Sequence, residues 1–296
     1  MDKKDIKLKQ RIISALIAIP LFLAIILFAP QSVYLAFWHL CIIACSYEFF
    51  KIRGLSKINS LISSVIIGSV APIFFYILFS TEIDSPTGRL IDFIASHTFF
   101  IMSIIALLSW CIIIPIFFKK YNKNQQFKIN NILLFCMWFF IISTFFAFTA
   151  LFGEDLYDTI NSAARYMLLS ILVIIWANDA GAYFVGKAIG KHKFSPIISP
   201  NKTWEGFFGG IIIATIAAVI MYFHYPIAAL CIAPFIAIFA TIGDLFQSML
   251  KRMAGVKDSG NIMPGHGGVF DRIDSWLSVG CILLALGVLG LARMIY

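Results

Sequence analysis

The chain has 296 residues, of which 60% are apolar and only 13% are charged, and its mean hydropathy is +0.92. A soluble domain has about 45–50% apolar and about 25% charged residues, so this composition excludes an ordinary soluble protein and predicts a polytopic membrane protein. The net charge of +8 is not accompanied by a DNA- or RNA-binding motif, so we expect no nucleic-acid partner.

Nine stretches of the chain are long and apolar enough to cross a membrane as helices. They predict an all-α integral membrane protein with about nine transmembrane helices. The predicted spans are Ile12–Pro30, Val33–Phe50, Ser60–Phe79, Thr98–Phe118, Asn131–Leu151, Tyr166–Ile189, Gly206–Phe223, Pro226–Leu250 and Ser275–Ile295. The first span lacks a signal-peptide cleavage site and is followed by further spans, so we predict that it is retained.

The distribution of positive charge predicts the orientation in the membrane. Twenty of the 23 Lys and Arg residues fall on one side of the predicted arrangement, and cytoplasmic loops collect these residues. We therefore predict that the N-terminus is cytoplasmic and that the C-terminus lies on the opposite side. Residues 1–11 carry five of the positive charges and are expected to contact anionic membrane lipids.

The polar residues are distributed unequally along the chain. Residues 1–165 are predicted to form a membrane bundle of about five helices that carries little chemistry. Residues 166–296 are predicted to form a catalytic membrane region of about four helices. Its cytoplasmic loops are residues 190–205 and 251–274.

Within the first part, Glu48 lies near the cytoplasmic end of the second span. We interpret it as an interfacial partner of Lys51, because long charged side chains near the end of a span can reach the headgroups. An ionisable residue inside a span is a functional candidate by default, so that alternative stays open. Trp110 and Trp138 are predicted to face lipid.

The sixth span contains a carboxylate and a false motif. Asp179 lies near the cytoplasmic end of this span, where a buried carboxylate needs a partner or water; we expect it to face the site, with a structural pairing to Lys187 as the alternative. Gly181–Ala188 fits the start of a P-loop, but Ala188 stands where Mg²⁺ needs a Ser or Thr hydroxyl. We interpret its glycines as positions of close helix packing.

The loop 190–205 is a candidate anion site. Ser199 followed by Pro200 is typical of a helix N-cap and the first helical position, so we predict that the seventh helix begins there. A helix N-terminus attracts phosphate, although an ordinary helix start is the plainer alternative. The polar residues that follow are Asn201, Lys202 and Thr203.

The segment Ser248–Asp274 carries most of the chemistry in the sequence. Its 27 residues mix acids and bases with five glycines. Glycines next to His266 indicate a backbone that approaches a ligand closely or adopts positive φ. Carboxylates suit Mg²⁺, and Lys and Arg suit phosphate, so we predict a metal-bridged phosphate site here, with a solvated loop as the alternative.

The spacing of the carboxylates around this segment indicates how they meet. Asp244, Ser248 and Lys251 share one face of the eighth helix. Asp271 and Asp274 share the first turn of the ninth helix if that helix has begun there. Three carboxylates at adjacent helix ends predict a pocket of oxygen ligands, and the few His and Cys residues favour Mg²⁺ over zinc.

This segment resembles the signature of the phosphatidate cytidylyltransferase (CDP-diacylglycerol synthase) family. The pattern is S-x-(apolar)-K-R, four residues, K-D-x-(small), two residues, (apolar)-P-x-H-G-G-(apolar)-x-D-R-(apolar)-D, and every fixed position matches. Met263 stands where the family usually has Leu, Ile or Phe. The residues Ser199–Gly206 and Asp179–Tyr183 resemble the family as well, whereas the first half of the chain resembles it only as a set of apolar spans.

The resemblance implies an integral membrane enzyme that transfers CMP from CTP to phosphatidate. The expected products are CDP-diacylglycerol and pyrophosphate, and the expected cofactor is Mg²⁺. In similar proteins the metal site is built from the aspartates that match Asp244 and Asp274, with room for a monovalent cation such as K⁺ beside it. The resemblance also implies a homodimer. The distribution of Lys and Arg predicts that the active site lies on the cytoplasmic face, and we expect the membrane to be the inner membrane of a bacterium.

On this basis we assign roles to individual residues. The predicted metal ligands are Asp244, Asp274 and Asp271. The predicted catalytic residues are Asp244, Asp271, Asp274, His266 and Lys251. The predicted substrate-binding residues are Ser199, Asn201, Lys202, Thr203, Arg252, Lys257, Asp258, Arg272 and Asp179. His266 is expected either to orient a phosphate or to give a proton to the leaving group.

Two other classes of function remain as alternatives. A transporter would use Asp179 and Asp244 to line a substrate path, but the polar residues concentrate on one face and the two halves show no inverted repeat. A CDP-alcohol phosphotransferase would also act on lipid headgroups, but the D-G-x-x-A-R pattern of that family is absent.

Overall fold

The computed structural model describes residues 3–80, 97–98, 100–123, 127–152, 159–223, 226–262 and 267–295. The described chain forms long helices and one short hairpin. The helices are α1 (Lys3–Phe28), α2 (Gln31–Ile52), α3 (Lys57–Ser80), α4 (Phe100–Asn122), α5 (Asn131–Ala150), α6 (Thr159–Ile189), α7 (Trp204–Met221), α8 (Pro226–Met253) and α9 (Phe270–Ile295). Strands β1 (Lys193–Ser195) and β2 (Ser199–Thr203) pair antiparallel between α6 and α7.

The described helices bear out the prediction of a helical membrane protein. Six helices in the described residues are long and apolar enough to cross a bilayer. These are α2, α4, α5, α7 and the segments Arg165–Ile189 of α6 and Ala229–Met253 of α8. The number of nine spans and their orientation stay predictions.

Helices α6 and α7 pack closely because small residues line their contact. A side-chain carbon at Gly206 would lie 2.7 Å from the backbone oxygen of Ala182, and one at Gly209 would lie 2.5 Å from Val185. The segment Gly181–Ala188 is therefore a stretch of helix that packs against its neighbour, which confirms that it is not a P-loop.

An aromatic cluster joins α2, α5 and α9. The rings of Phe49 and Trp138 stack with centroids 4.0 Å apart, and Trp138 also lies 5.2 Å from Phe270 at the start of α9. The indole of Trp138 donates to the Ser46 hydroxyl at 3.1 Å. The first and last parts of the chain therefore share one core, and the proposed division at residue 165 stays a prediction.

The prediction that Trp110 and Trp138 face lipid was wrong. Each is only 1% exposed, and Trp110 meets Phe246 of α8 edge to face at 5.6 Å. Lipid tails and the interior of a helix bundle are equally apolar, so the composition of a span does not reveal which of its faces is buried.

The hairpin corrects the predicted start of the seventh helix at Ser199. Strand β2 continues to Thr203, whose backbone is extended and whose hydroxyl oxygen accepts a hydrogen bond from the Gly206 amide at 3.1 Å. Thr203 is therefore the N-cap of α7. Pro200 is tolerated because β2 lies at the edge of a two-stranded sheet, where a missing N–H is harmless.

The loops predicted to be cytoplasmic meet at one end of the bundle. Arg53 after α2 donates to the side chain of Asn131 at 2.7 Å, and Arg252 at the end of α8 donates to the backbone oxygen of Ile198 in the hairpin turn at 3.4 Å. This arrangement is compatible with a common side for these loops, and the identity of that side stays a prediction.

A buried arginine secures the other end of the bundle. Arg165 is 1% exposed and donates to the backbone oxygens of Ala29 at 2.7 Å and Ile26 at 3.3 Å, where α1 ends. Its guanidinium lies 5.1 Å from the ring centre of Tyr34. These contacts supply partners to carbonyl groups that the end of a helix leaves without one.

We expect Arg165→Met to lower the stability of the protein in detergent. The substitution leaves buried carbonyl groups without donors, which costs about 1–3 kcal/mol and lowers the apparent melting temperature. Arg53→Met is the matched control, because water can replace its more exposed hydrogen bonds to Asn131. Equal melting temperatures for the two variants would contradict the proposed role of Arg165.

Candidate active site

An ion pair connects the hairpin to α8. The Lys202 Nζ lies 2.6 Å from Oδ2 of Asp244, and both side chains remain about one-third exposed, at 28% and 33%. The Ser248 hydroxyl donates to the other oxygen of Asp244 at 3.3 Å. The prediction that Asp244 and Ser248 share one face of α8 is thereby confirmed.

This ion pair lines a pocket of about 230 Å³ enclosed by α6, α7, α8 and the hairpin. Its polar lining consists of Asn178, Asp179, Asn201, Lys202, Thr203, Thr241 and Asp244. Its aromatic lining consists of Tyr183, Phe194 and Phe207. Five of the predicted site residues therefore line one pocket, and these are Asp179, Asn201, Lys202, Thr203 and Asp244.

Asp274 of α9 packs against α8 beside Asp244. Gly243 has no room for a side chain, because a carbon there would lie 2.5 Å from the backbone oxygen of Asp274. Asp179 lines the same pocket as Asp244. The Asp274 side chain accepts a hydrogen bond from the Ser275 amide at 2.8 Å.

The oxygen atoms of these carboxylates are suitable ligands for a hard cation. Carboxylate oxygens are ligands that Mg²⁺ favours, and a cation between Asp179, Asp244 and Asp274 would relieve their mutual repulsion. Among the described residues no three His, Cys, Asp or Glu side chains form a preassembled metal site. The Mg²⁺ site therefore stays a prediction.

Asp271 lies in the first turn of α9, as predicted, but its oxygens are already engaged. Oδ1 accepts from Lys251 at 2.8 Å and from Gln247 at 2.7 Å. Oδ2 accepts from the backbone amides of Ser259 at 2.9 Å and Gly268 at 3.0 Å. Asp271 therefore fixes Lys251 and two points of the loop between α8 and α9.

These contacts also determine the acidity of Asp271. Burial disfavours the charged carboxylate, but the Gly268 amide, Lys251 and the Ser259 amide together outweigh that effect and hold the pKa of Asp271 below its usual value. Each donor is stronger beside a negative charge. The Asp271 carboxylate is thus ionised and held in one orientation.

The remaining predicted residues of the loop lie apart from the pocket. The side chains of Lys257, Asp258, Arg252 and Arg272 are exposed. Ser199 pairs with Ser195 in the hairpin. The prediction for His266 concerns a residue outside the described part of the chain.

The loop glycines serve two separate purposes. Gly255 and Gly267 adopt φ values of 68° and 86°, which glycine tolerates far better than other residues. Gly268 has no space for a side chain, because a carbon there would clash with the carboxyl group of Glu48. The close approach expected of these glycines therefore involves the protein's own α2, at least at Gly268.

The interpretation of Glu48 as a partner of Lys51 was wrong. Glu48 is 1% exposed and accepts hydrogen bonds from the Ser259 hydroxyl at 2.8 Å and the Phe270 amide at 2.9 Å. The signal that could have found it is a carboxylate inside an apolar span. Its partners lie 211 and 222 residues away along the chain, and no local pattern identifies them.

Comparisons with known proteins identify the family of the chain. The model of the Cytidylyltransferase family matches residues 9–289 of the chain. A protein of Haemophilus influenzae named phosphatidate cytidylyltransferase is 32% identical over 285 residues, which cover 90% of this chain and 94% of that protein.

Other relatives match over shorter stretches. Proteins with the same name are 55% identical over 112 residues in Bacillus subtilis and 46% identical over 128 residues in Staphylococcus epidermidis. These matches cover 36% and 42% of this chain. The chain spans about half the length of these relatives, at 42% and 49%.

We expect Thr203→Val to destabilise α7 while preserving the shape of the side chain. Valine cannot accept the hydrogen bond of the Gly206 amide, and loss of an N-cap costs about 0.5–2 kcal/mol. Thr203→Ser keeps the acceptor and should melt close to the wild type in detergent. If both variants had the same melting temperature, the capping role of Thr203 would be refuted.

Proposed function

Because the chain belongs to the Cytidylyltransferase family, we propose that it transfers CMP from CTP to phosphatidate, giving CDP-diacylglycerol and pyrophosphate. The observation that carries this proposal is the pairing of Lys202 with Asp244 in a pocket that Asp179 also lines, with Asp274 of α9 packed against the adjacent Gly243. Anionic reactants need cations and oriented donors at such a point.

The surroundings of the pocket suit a lipid substrate. Tyr183 and Phe207 line the pocket itself, and the exposed apolar residues Phe184, Phe208 and Ile212 continue along α6 and α7. A lipid whose acyl chains lie against these helices can place its phosphate at Lys202. The soluble nucleotide would then approach from the polar end of the bundle.

In the proposed reaction, a phosphate oxygen of phosphatidate attacks the α-phosphorus of CTP. The bond between the α-phosphorus and the oxygen that bridges to the β-phosphorus breaks, and pyrophosphate leaves with the electron pair. The attacking oxygen is already anionic, so no protein nucleophile is needed. Catalysis then consists of positioning and charge neutralisation, to which Lys202 and Lys251 contribute positive charge.

Asp244 and Asp274, with Asp179 beside them, would hold Mg²⁺. When bound, the ion supplies positive charge that neutralises the phosphates and polarises their oxygens. Lys202, which pairs with Asp244 at 2.6 Å, can exchange this carboxylate for a substrate phosphate. With its oxygens already engaged, Asp271 is proposed to position Lys251 instead of serving as a third ligand.

Several finer features are part of the same proposal. They are substrate contacts of Asn201 and Thr203, which line the pocket, and of Ser199, Arg252, Lys257, Asp258 and Arg272, together with the role of His266. A K⁺ ion beside Mg²⁺ is proposed on the resemblance only. The location of the site on the cytoplasmic face of a bacterial inner membrane is supported by the Lys and Arg distribution. A homodimer is proposed on the resemblance only.

The product of the purified protein tests the proposed reaction. We expect CTP, phosphatidate and Mg²⁺ to yield CDP-diacylglycerol and pyrophosphate, identified by mass spectrometry of the lipid and by a phosphate assay after pyrophosphatase treatment. Chelation of the divalent ion should stop both products, and added Mg²⁺ should restore them. A protein that makes no cytidylylated lipid under these conditions, or that consumes CDP-diacylglycerol in the presence of an alcohol, would refute the proposal.

A pair of lysine variants tests the position of the site. We expect Lys202→Met to lower kcat/KM for CMP transfer about 100-fold, as for removal of a positioned donor. Lys128→Met removes the same charge from an exposed residue before α5 and should leave the rate near that of the wild type. Equal losses in the two variants would indicate a general charge effect and contradict a specific role for Lys202.

A further inference from the structure

A buried acid of α2 contacts the loop between α8 and α9 at Ser259 and again where α9 begins. The Glu48 carboxyl group accepts three hydrogen bonds, from the Ser259 hydroxyl at 2.8 Å, the Phe270 amide at 2.9 Å and the Val269 amide at 3.2 Å. Ser259 is the sixth residue after the end of α8, and the two amides lie where α9 begins. One side chain therefore contacts Ser259 and Phe270, which are 11 positions apart in the chain.

The described loop backbone lies against this carboxyl group at Gly260 and Gly268. A side-chain carbon at Gly260 or at Gly268 would clash with one of the two oxygens of Glu48. Ser259 is held twice, because its amide donates to Asp271 while its hydroxyl donates to Glu48. Glu48 and Asp271 thus accept hydrogen bonds from the same residue.

The contact also fixes the first turn of α9. A carboxyl group at a helix N-terminus satisfies amides that have no partner within the helix and interacts favourably with the helix dipole. Phe270 is held further by the rings of Trp138 at 5.2 Å and Phe49 at 6.4 Å. Asp271 and Asp274 follow within one turn, so their positions depend on this anchor.

We propose that Glu48 is a positioning residue for CMP transfer, which acts by fixing the loop and the first turn of α9, and with them Asp274 against Gly243 of α8 and Asp271 against Lys251. This inference rests on the proposed function. Through Glu48, residues 1–165 would help to position the catalytic residues of residues 166–296. Glu48 itself contacts the loop and is not proposed to touch substrate.

Glutamine at this position is a sharp probe because it preserves size and removes one acceptor. Oε1 accepts from the Val269 amide, and Oε2 accepts from the Phe270 amide. In either orientation of a glutamine side chain, its NH₂ group faces a backbone N–H that can only donate. Glu48→Gln therefore breaks at least one hydrogen bond to the start of α9, whereas Glu48→Asp keeps both acceptor oxygens.

Tyr34→Phe is the matched control on the same helix. Tyr34 is buried in α2, and its hydroxyl donates to the backbone oxygen of Thr149 at 2.9 Å, at the end of the bundle remote from the loop. The variant removes a buried hydrogen bond of α2 without touching α9 or the loop. Its hydrogen exchange and kcat show the effect of weakening α2 without breaking the contact of Glu48 with the loop.

Hydrogen exchange of the intact protein in detergent tests the contact without reference to activity. We expect Glu48→Gln to speed amide exchange in residues 267–274 and at Ser259 roughly tenfold, as the loss of a buried hydrogen bond allows, with α5 and α6 unchanged. Tyr34→Phe should leave these residues as in the wild type. Unchanged exchange at the loop in Glu48→Gln, or an equal rise in every helix, would overturn the proposal.

Steady-state kinetics then test the consequence for transfer. We expect Glu48→Gln to lower kcat up to about 100-fold, as small displacements of reacting groups do, with KM for phosphatidate nearly unchanged because Lys202 lies on the hairpin. Glu48→Asp should recover part of kcat, and Tyr34→Phe should keep all of it. Faster loop exchange with a wild-type kcat would overturn the positioning role, whereas a wild-type protein that forms no product would refute the proposed function and leave the exchange result standing.

Discussion

The structure depends on pairing acidic side chains at one end of an apolar helix bundle. A carboxylate removed from water is costly unless charges or hydrogen-bond donors replace the water. Asp244 forms an ion pair with Lys202 of the hairpin, and Asp271 forms one with Lys251 of α8. Glu48 accepts a hydrogen bond from the first residue of α9. Each of these contacts joins different elements, so the same bonds that satisfy the acids also assemble the polar end.

The acids differ in how far their carboxylate oxygens are already engaged by hydrogen-bond donors. Both oxygens of Asp271 are engaged by side-chain and backbone donors, which suits a residue that positions others. Asp179 instead lines a pocket with Asp244, and Asp274 packs against the adjacent Gly243. Repulsion among these three is what a cation or a cationic side chain relieves, and Lys202 already does so for Asp244. Asp271 is therefore suited to positioning its neighbours, whereas Asp179, Asp244 and Asp274 are suited to binding an ion.

The sequence predicted the parts of this arrangement that depend on local spacing. Apolar length predicted the helices, and the 3.6-residue period placed Ser248 beside Asp244 and both Asp271 and Asp274 in one turn. The hairpin was missed because Ser199 and Pro200 fit a helix start as well as an edge strand. The partners of Glu48 lie more than 200 residues away, and no local period encodes them. The sequence also did not predict the burial of Trp138, because lipid and the protein interior favour the same residues.

We propose that Asp244 and Asp274 bind the metal ion at which Lys202 receives the substrate phosphates. The most direct measurement is a structure of the protein with Mn²⁺ and a CTP analogue that cannot be cleaved between the α- and β-phosphates, with the ion located by its anomalous scattering. We expect Mn²⁺ to be bound by Asp244 and Asp274, with a phosphate of the analogue within hydrogen-bond distance of Lys202. An ion bound without either aspartate, or a triphosphate bound away from Lys202, would contradict it.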